Sequence, residues 1–431
     1  MAGADSPIQP LELKCPECKN PNKRYTHNQS RYYGCPACNS WFALKPDGSL
    51  QRDRSVEKKA ILRNDPLLPG VPVTFNEIKY IIVSRAVKAD KSAKEYTWRE
   101  YGLFHPLHGY AWLSEYDGHW LLLKETKKQS EKISSTEMNF NGTPFFLYQK
   151  YKSATLSAIG EFPSNALKES ISYYEFIAPP QMISCESAKS YNKYFLGESI
   201  LREEVAAAAG VDKSALPPQS GVGAAQVRKS GFTHRSLVIL SAIMIGFLIA
   251  VHLMAVSNAK EKTVVSMSQT FADSALGITV ASPPFVLTGR TSNLKFEYSS
   301  DIYNNWAEAE IMLINDKTNE TRGLSIGSEY YAGVDDEGSW SEGSTLDDRI
   351  LSSVEPGTYH INVKQTKGVS GTGGNHFSLE VKHDVPVDSN FFIMVIIVAL
   401  FPLISWIRRR QFEKSRWMNS DYSPFDSVFD E

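Results

Sequence analysis

Four cysteines near the N-terminus carry the plainest chemistry in this sequence. Cys15-Pro16-Glu17-Cys18 is followed, sixteen residues on, by Cys35-Pro36-Ala37-Cys38. A C-x2-C unit forms a tight turn that directs two thiolates to one point, and two such turns complete a tetrahedral sulfur shell. That shell suits zinc, at Zn–S distances of about 2.3 Å. All four positions are cysteine, so no coordination site is left open for a catalytic water. The expectation is a zinc ribbon with a structural Zn2+ held by Cys15, Cys18, Cys35 and Cys38; redox-active or iron-binding cysteines are the alternative. Lys19, Lys23, Arg24 and Arg31 are interleaved there with Tyr25, Tyr32 and Tyr33, a mix able to stack on and neutralise nucleic acid. A ribbon this small needs such aromatics for its own core, so packing is the reading preferred over nucleic-acid binding. A protein contact fits either way.

Further along, reactive residue types occur without a diagnostic pattern. His105, His108 and His119 lie close together beside Glu115 and Asp117, but no carboxylate or third histidine falls at a metal-binding spacing. They are read as histidines of surface turns, with His119 at the solvent end of a hairpin. Arg99 and Glu100 alternate with aromatics and read as the polar face of a strand. Cys185 follows Ser184, taken as a helix N-cap, where the helix dipole lowers a thiol pKa. No basic residue stands near it in sequence to make it a nucleophile. A nucleophile elbow, a P-loop and a dinucleotide fingerprint are all absent, so no catalytic residue is assigned.

What positions these groups follows from hydropathy. Ser236–Val256 has the length of a membrane-spanning helix, about 20 residues, and contains no Asp, Glu, Lys or Arg. Phe391–Ile407 is a shorter second candidate, with Pro402 expected to kink its last turn. Arg228, Lys229 and Arg235 precede the first, and Arg408, Arg409, Arg410, Lys414 and Arg416 follow the second. Lys and Arg are retained on the cytoplasmic side, so both termini are expected there and residues 257–389 outside. The remaining numbers agree with several domains: 431 residues, 22% of them charged, with a formal net charge of −2. Near neutrality removes any case for non-specific nucleic-acid binding by the whole chain. Of five cysteines none lies in residues 257–389, so that segment must stand on its own core without disulfides.

Residues 46–66 read as a linker. Strand patterns follow at Lys79–Val83, Tyr96–Phe104, Thr143–Lys150 and Lys152–Gly160. Gly109–Tyr116 and His119–Glu125 flank Asp117-Gly118, a dipeptide that suits the type I′ turn of a hairpin. Many short strands with turn signals predict a small β-barrel or sandwich over residues 67–209, closed by a helix over Glu186–Ala209. Residues 210–235, rich in Gly, Ser and Pro, read as a flexible tether. The outer segment has strand patterns at Phe285–Thr288, Leu294–Tyr298, Glu308–Asn315 and Thr358–Val363, which predict a β-sandwich. Residues 330–348 read as an acidic, solvated loop around Trp340, without the spacing of a calcium loop. The tail, 408–431, begins basic, where it suits anionic headgroups, and either is disordered or docks on the cytoplasmic domain.

At this point the residues resemble a known family. Glu95-Tyr96-Thr97-Trp98-Arg99-Glu100-Tyr101-Gly102-Leu103, Trp112-Leu113 and Trp120-Leu121-Leu122 resemble the first half of the bacterial family catalogued as domain of unknown function 4178. Gly160-Glu161-Phe162-Pro163, Ala178-Pro179-Pro180, Ser184-Cys185-Glu186 and Tyr194-Phe195-Leu196-Gly197-Glu198 are similar to its second half. Cys185 departs from that pattern. The ending Arg416-Trp417…Ser420-Asp421-Tyr422 also resembles the family's close, and an N-terminal ribbon with two late spans is a layout seen in it. The resemblance implies a bacterial protein, often encoded near polyamine-synthesis enzymes, and no known reaction.

The chain is therefore expected to be a mostly β, multidomain protein of the bacterial inner membrane. Its parts are a ribbon (10–45), a cytoplasmic β domain (67–209), a span (236–256), an extracytoplasmic β-sandwich (257–389), a span (391–407) and a cytoplasmic tail. The expected role is non-enzymatic: a scaffold or sensor with cytoplasmic protein partners, possessing no assigned oligomeric state. The alternatives are an accessory subunit of a membrane enzyme or transporter, and an enzyme whose site joins the histidine-rich hairpin to Glu161.

Overall fold

In a computed structural model, the described residues are 9–27, 29–53, 65–127, 131–132, 134–168, 171–188, 192–270, 277–369 and 372–425. The chain divides into two compact units, residues 1–231 with 406–431, and residues 232–405.

The first unit begins with short ribbon strands, β1 (Leu11–Lys14), β2 (Pro21–Arg24), β3 (Tyr32–Gly34), β4 (Trp41–Leu44) and β5 (Leu50–Arg52). There follow β6 (Pro72–Phe75), β7 (Ile78–Asp90), β8 (Thr97–His105), β9 (Gly109–Tyr116), β10 (His119–Thr126), β11 (Glu131–Lys132) and β12 (Glu137–Phe140). The unit's last strands are β13 (Thr143–Phe162), β14 (Ser172–Ala178), β15 (Gln181–Ser187) and β16 (Asn192–Ile200), before helix α1 (Arg202–Ala209). Two antiparallel meanders, β7–β10 and β13–β16, join edge to edge: β10 pairs with β16, and β13 with β7. The result is a closed barrel of eight strands.

Side-chain alternation gives each strand one inward and one outward face. The outward face of the first meander, including Tyr101, Leu113 and Trp120, is buried under Val205 and Ala206 of α1 and Val73 and Phe75 of β6. The outward face of the second packs with Met138 and Phe140 of β12. Inward residues meet across the two meanders, as Trp112 of β9 does with Phe195 of β16 at 5.0 Å between ring centroids.

The hairpin expected at Asp117-Gly118 is present, with both residues at positive φ (49° and 75°). Gly118 is needed for a second reason: a Cβ there would lie 2.2 Å from the Pro218 carbonyl oxygen. Gly118→Ala is expected to cost about 1–3 kcal/mol and to lower the melting temperature of the detergent-solubilised chain. A melt unchanged within a degree would contradict this packing.

The second unit begins with helix α2 (His234–Asn258), then β17 (Lys262–Thr270), β18 (Thr279–Ala281), β19 (Phe285–Leu287), β20 (Ser292–Ser300) and β21 (Asn305–Asn315). It continues through β22 (Thr321–Asp335), β23 (Gly338–Ser344), β24 (Leu346–Val354), β25 (Gly357–Lys367) and β26 (His376–His383). One sheet runs β17-β26-β20-β24 and the other β18-β25-β21-β22-β23, with β19 on β25. Both contribute to one core, with Phe296, Phe377 and Val381 from the first and Ile311, Ile361 and Val363 from the second. Helix α3 (Asp388–Trp417) completes the chain's regular structure. Helices α2 and α3 are long and apolar enough to cross a membrane, with mean hydropathy 2.6 and 2.4 over their most apolar stretches. Their apolar side chains are exposed, as Ile243, Phe247, Phe392 and Ile396 illustrate, so neither is a buried core helix.

Several sequence expectations are corrected. The helix over Glu186–Ala209 is replaced by the end of β15, β16 and only the short α1, because period-two burial against the barrel outweighs the helical stripe. Residues 46–66 are not a linker throughout: Leu50–Arg52 pair with β4, and buried Asp65 accepts from Tyr101 and pairs with Arg85 at 2.8 Å. The interior of that segment, 54–64, lies outside the described residues. The tether 210–235 is partly packed, since Leu216 and Ala225 are buried. The acidic loop is a hairpin: β22 and β23 pair from Glu329↔Ser344 to Asp335↔Gly338. The second apolar helix does not end near Ile407; it passes Pro402 and runs to Trp417.

Candidate metal centre and barrel interior

The two C-x2-C units fold alike. In each, the backbone N–H two residues after the second cysteine's predecessor turn closes back on the first: Lys19 donates to the Cys15 carbonyl, and Asn39 to that of Cys35. Lys19 and Asn39 both take positive φ (64° and 58°), which bends each turn so that its two thiols face the other turn. The four Sγ atoms lie within 4.8 Å of one another, with Cys15–Cys38 and Cys18–Cys35 at 3.7 Å. A tetrahedron with metal–sulfur bonds of about 2.3 Å has sulfur–sulfur edges of about 3.8 Å. The donor set therefore fits a thiophilic metal ion, and no disulfide forms among the cysteines. Burial pushes the Cys15 thiol up, but the Ser40 hydroxyl at 3.1 Å and backbone N–H groups of Cys18 and Glu17 outweigh it and bring it down to about 6. Burial pushes Cys35 up to about 12. Without an ion the set is thus uneven, and a cation at its centre would favour all four thiolates.

The ribbon aromatics are core. Tyr25 and Tyr33 are buried, and Tyr33 stacks on Phe42 at 5.5 Å. Strand β3 pairs with the end of β13, so ribbon and barrel share hydrogen bonds. Glu161, 1% exposed, fastens this junction: its carboxylate accepts from the Tyr25 and Thr26 backbone N–H groups and from the Thr26 hydroxyl. That is a structural task, and it removes Glu161 from the histidine-containing enzyme site considered from sequence. Glu161→Ala leaves three buried donors without acceptors, at about 1–3 kcal/mol each. The expected readout is faster proteolysis within residues 9–53 while barrel cleavage is unchanged; Glu161→Gln, which keeps one acceptor, should be milder.

His105 and His108 adjoin, at 4.8 Å between ring centroids, but His119 lies at the other end of β9 and does not join them. His105 Nδ1 accepts from the Leu107 and His108 backbone N–H groups, shaping the β8–β9 turn. His119 is not simply at a solvent end: its Nε2 donates to the Ser220 carbonyl at 2.9 Å. Cys185 sits in β15, not at a helix start, and burial pushes its thiol up, away from reactivity.

A cluster that sequence reading did not single out lies on the inward face of the barrel. Lys88 of β7 pairs with Glu100 of β8 at 2.6 Å and donates to the Tyr173 hydroxyl of β14 at 3.0 Å. Tyr173 in turn donates to Glu186 of β15 at 3.1 Å. Trp98 donates its indole N–H to Glu100, and Tyr151 of β13 donates to Glu175 at 2.7 Å. The three rings adjoin, with Tyr151 stacked on Tyr173 and Trp98 edge-on to Tyr151, each at 5.2 Å. Burial pushes Glu175 up to about 7, although the Tyr151 hydroxyl opposes it. Burial also pushes Glu186 up, against the pull of Lys88. The signal was present in sequence as aromatic–acid pairs two apart, Trp98/Glu100 and Tyr173/Glu175. What was missing was the closure of the barrel that brings both pairs to one place.

The other end of the interior is filled by the chain's own tail. Trp417 packs on Tyr148 at 5.4 Å, in a cluster with Ile177, Met182 and Ala225. Arg416, 2% exposed, donates to the carbonyls of Gly223, Ala224 and Gln226 and pairs with Glu413. The Tyr148 hydroxyl donates to the Arg416 carbonyl, and the Ser420 hydroxyl to that of Tyr148. Of the two readings left open for the tail, docking is the one realised through residue 425.

Barrel, appended four-cysteine ribbon and two apolar helices define the class: a mostly β protein with candidate membrane spans and a candidate metal centre. Residues 68–202 match the model of the family described as "Domain of unknown function (DUF4178)". No curated protein matches the chain. Among solved structures, one described as "Structure of infectious bursal disease virus Gx strain" is 9% identical, over 87% of this chain and 69% of that one, at a TM-score of 0.18. A second, described as carbohydrate-binding modules from the beta-sandwich super family, is 10% identical over 55% of this chain and 94% of that one, at 0.12. Scores this low carry no argument about fold or function.

Proposed function

We propose that this protein is a membrane-anchored sensor or scaffold of the bacterial inner membrane, with the ribbon and barrel in the cytoplasm and residues 259–387 outside. The observation that carries the reading is the junction at Arg416. It gathers, on the barrel, the segment leading toward the first apolar helix (Gly223, Ala224, Gln226) and the segment leaving the second (Arg416, Trp417, Ser420). A shift of either helix would be felt at the barrel mouth. That is a means of coupling an outer condition to an inner domain.

The basic residues flanking the outer ends of this pair, before Leu237 and after Ile407, support cytoplasmic termini. The four thiolates are taken to hold zinc, because a closed tetrahedral sulfur set is a structural zinc site. The ribbon would then be the rigid surface offered to a protein partner, and the setting implied by the resemblance is polyamine-linked envelope physiology. In-cell crosslinking with mass spectrometry, on the intact chain and on a Cys15→Ser/Cys18→Ser variant, tests this. The expected result is one specific cytoplasmic partner lost in the variant while the protein stays in the membrane. No partner with either form would overturn the scaffold reading.

A further inference from the structure

The open end of the barrel holds more negative than positive charge. Glu100, Glu125, Glu175 and Glu186 face one another's side of the interior with two ammonium groups among them, Lys88 and Lys193, the second standing opposite Glu186 on β16. Lys193 at the rim is near Glu125, at 3.9 Å, and Asp90 stands on the same inward face as Lys88. Carboxylates in such a place either keep a proton or take a cation.

Three observations say which cation. First, the carboxylates are spread among aromatic rings and are not gathered on one point; among the described residues, the group placed to hold a metal ion is the four-cysteine set. Second, the cluster already holds an ammonium: Lys88 Nζ lies 2.6 Å from Glu100, 3.0 Å from the Tyr173 hydroxyl and 5.2 Å from the centroid of that ring. Carboxylate, phenol and ring face together are how proteins hold alkylammonium groups. Third, Trp98, Glu100, Tyr151 and Glu175 are only half-buried on the inward face, beside the buried ring of Tyr173. The tail fills the other end, so these half-buried groups lie at the end it leaves free, and barrel mouths are common ligand sites.

We propose that the open end of the barrel binds a small organic cation carrying primary ammonium groups, seated on Trp98, Tyr151 and Tyr173 and paired with Glu175 and Glu186. Four carboxylates, Glu100, Glu125, Glu175 and Glu186, against two ammonium groups, Lys88 and Lys193, leave an excess of two, which favours a dication over a monocation. Glu175, held up to about 7 by burial, is half protonated in the free protein near neutrality and carries its proton below it. A bound ammonium displaces that proton, so affinity rises as pH increases through about 7 and levels off above it. The inference is independent of the partner reading, and would stand if crosslinking found no partner.

The test is calorimetric titration of the full-length chain in detergent with 1,4-diaminobutane, n-butylamine, butan-1-ol and calcium chloride, at pH 6 and pH 8. The expected order is diamine tighter than monoamine, with no binding of the alcohol or of calcium, and at least threefold weaker diamine binding at pH 6. Glu175→Gln should weaken the diamine at least tenfold and abolish its pH dependence. Tyr151→Phe, which removes only a hydroxyl, serves if that variant melts early: with the phenol no longer donating to Glu175, the pH dependence of diamine binding should shift upward. Absence of binding by both amines, equal binding of the alcohol, binding of calcium in their place, or affinity unchanged in Glu175→Gln would each overturn the proposal.

Discussion

Replacing Cys35 by serine is expected to abolish the metal content of the purified protein and to unfold the ribbon. Cys35 is fully buried in a cluster that otherwise contains only Cys15, Tyr33 and Phe42, with a few half-buried neighbours. A core that small cannot offset the entropy of ordering about forty residues. A structural zinc ion contributes about 10–16 kcal/mol in small zinc domains, more than any other single element of such a ribbon. Metal analysis should fall from about one ion per chain to none, and limited proteolysis should cut freely between residues 9 and 53. The effect should stop at the barrel, which is closed by its own eight strands. Retained metal with a protected ribbon would mean that the four thiolates are not a joint ligand set.

The second large effect is expected at Arg416. Alanine there removes the donors to three carbonyls, the pair with Glu413 and the stacking over Phe412 at 5.1 Å. Removing one partner of a buried charge network costs about 3–5 kcal/mol. The loss is local, so its readout is hydrogen exchange: residues 223–226 and 416–425 should lose protection while β7–β10 keep theirs. Lysine should rescue only part of it, because a point charge cannot reach three carbonyls as a guanidinium fork does. Equal protection in wild type and Arg416→Ala would remove the junction from which the coupling role is argued.

Local signals were legible from sequence, and closure was not. The paired C-x2-C turns, the Asp117-Gly118 hairpin and the two apolar stretches each depend on a few neighbouring residues, and the structure has them. Thr143–Lys150 and Lys152–Gly160 carry two strand patterns but form one strand, β13, whose first half pairs with β14 and whose second half pairs with β7 and β3. Over Glu186–Ala209 the sequence places Tyr194, Ile200, Leu201 and Val205 on one helical stripe, which predicts a helix there. In the barrel, Tyr194 and Ile200 serve β16 and only Val205 serves a helix. The inward Lys88–Glu100–Tyr173–Glu186 chain joins residues up to 98 positions apart, so no local pattern reports it. Arg416 was read as one of a headgroup-facing basic cluster, since its three carbonyl partners lie in a segment with no apolar period.

The two-faced architecture is most directly tested by cysteine accessibility in intact cells. Ser341→Cys lies on an exposed strand of the second unit, and Met418→Cys is 74% exposed at its native position in the tail. With a membrane-impermeant maleimide, Ser341→Cys should be labelled in cells whose outer barrier alone has been opened. Met418→Cys and the native cysteines should be labelled only after the inner membrane is permeabilised. Labelling of both positions together, or in the reverse order, would contradict a protein that joins an outer β domain to an inner barrel.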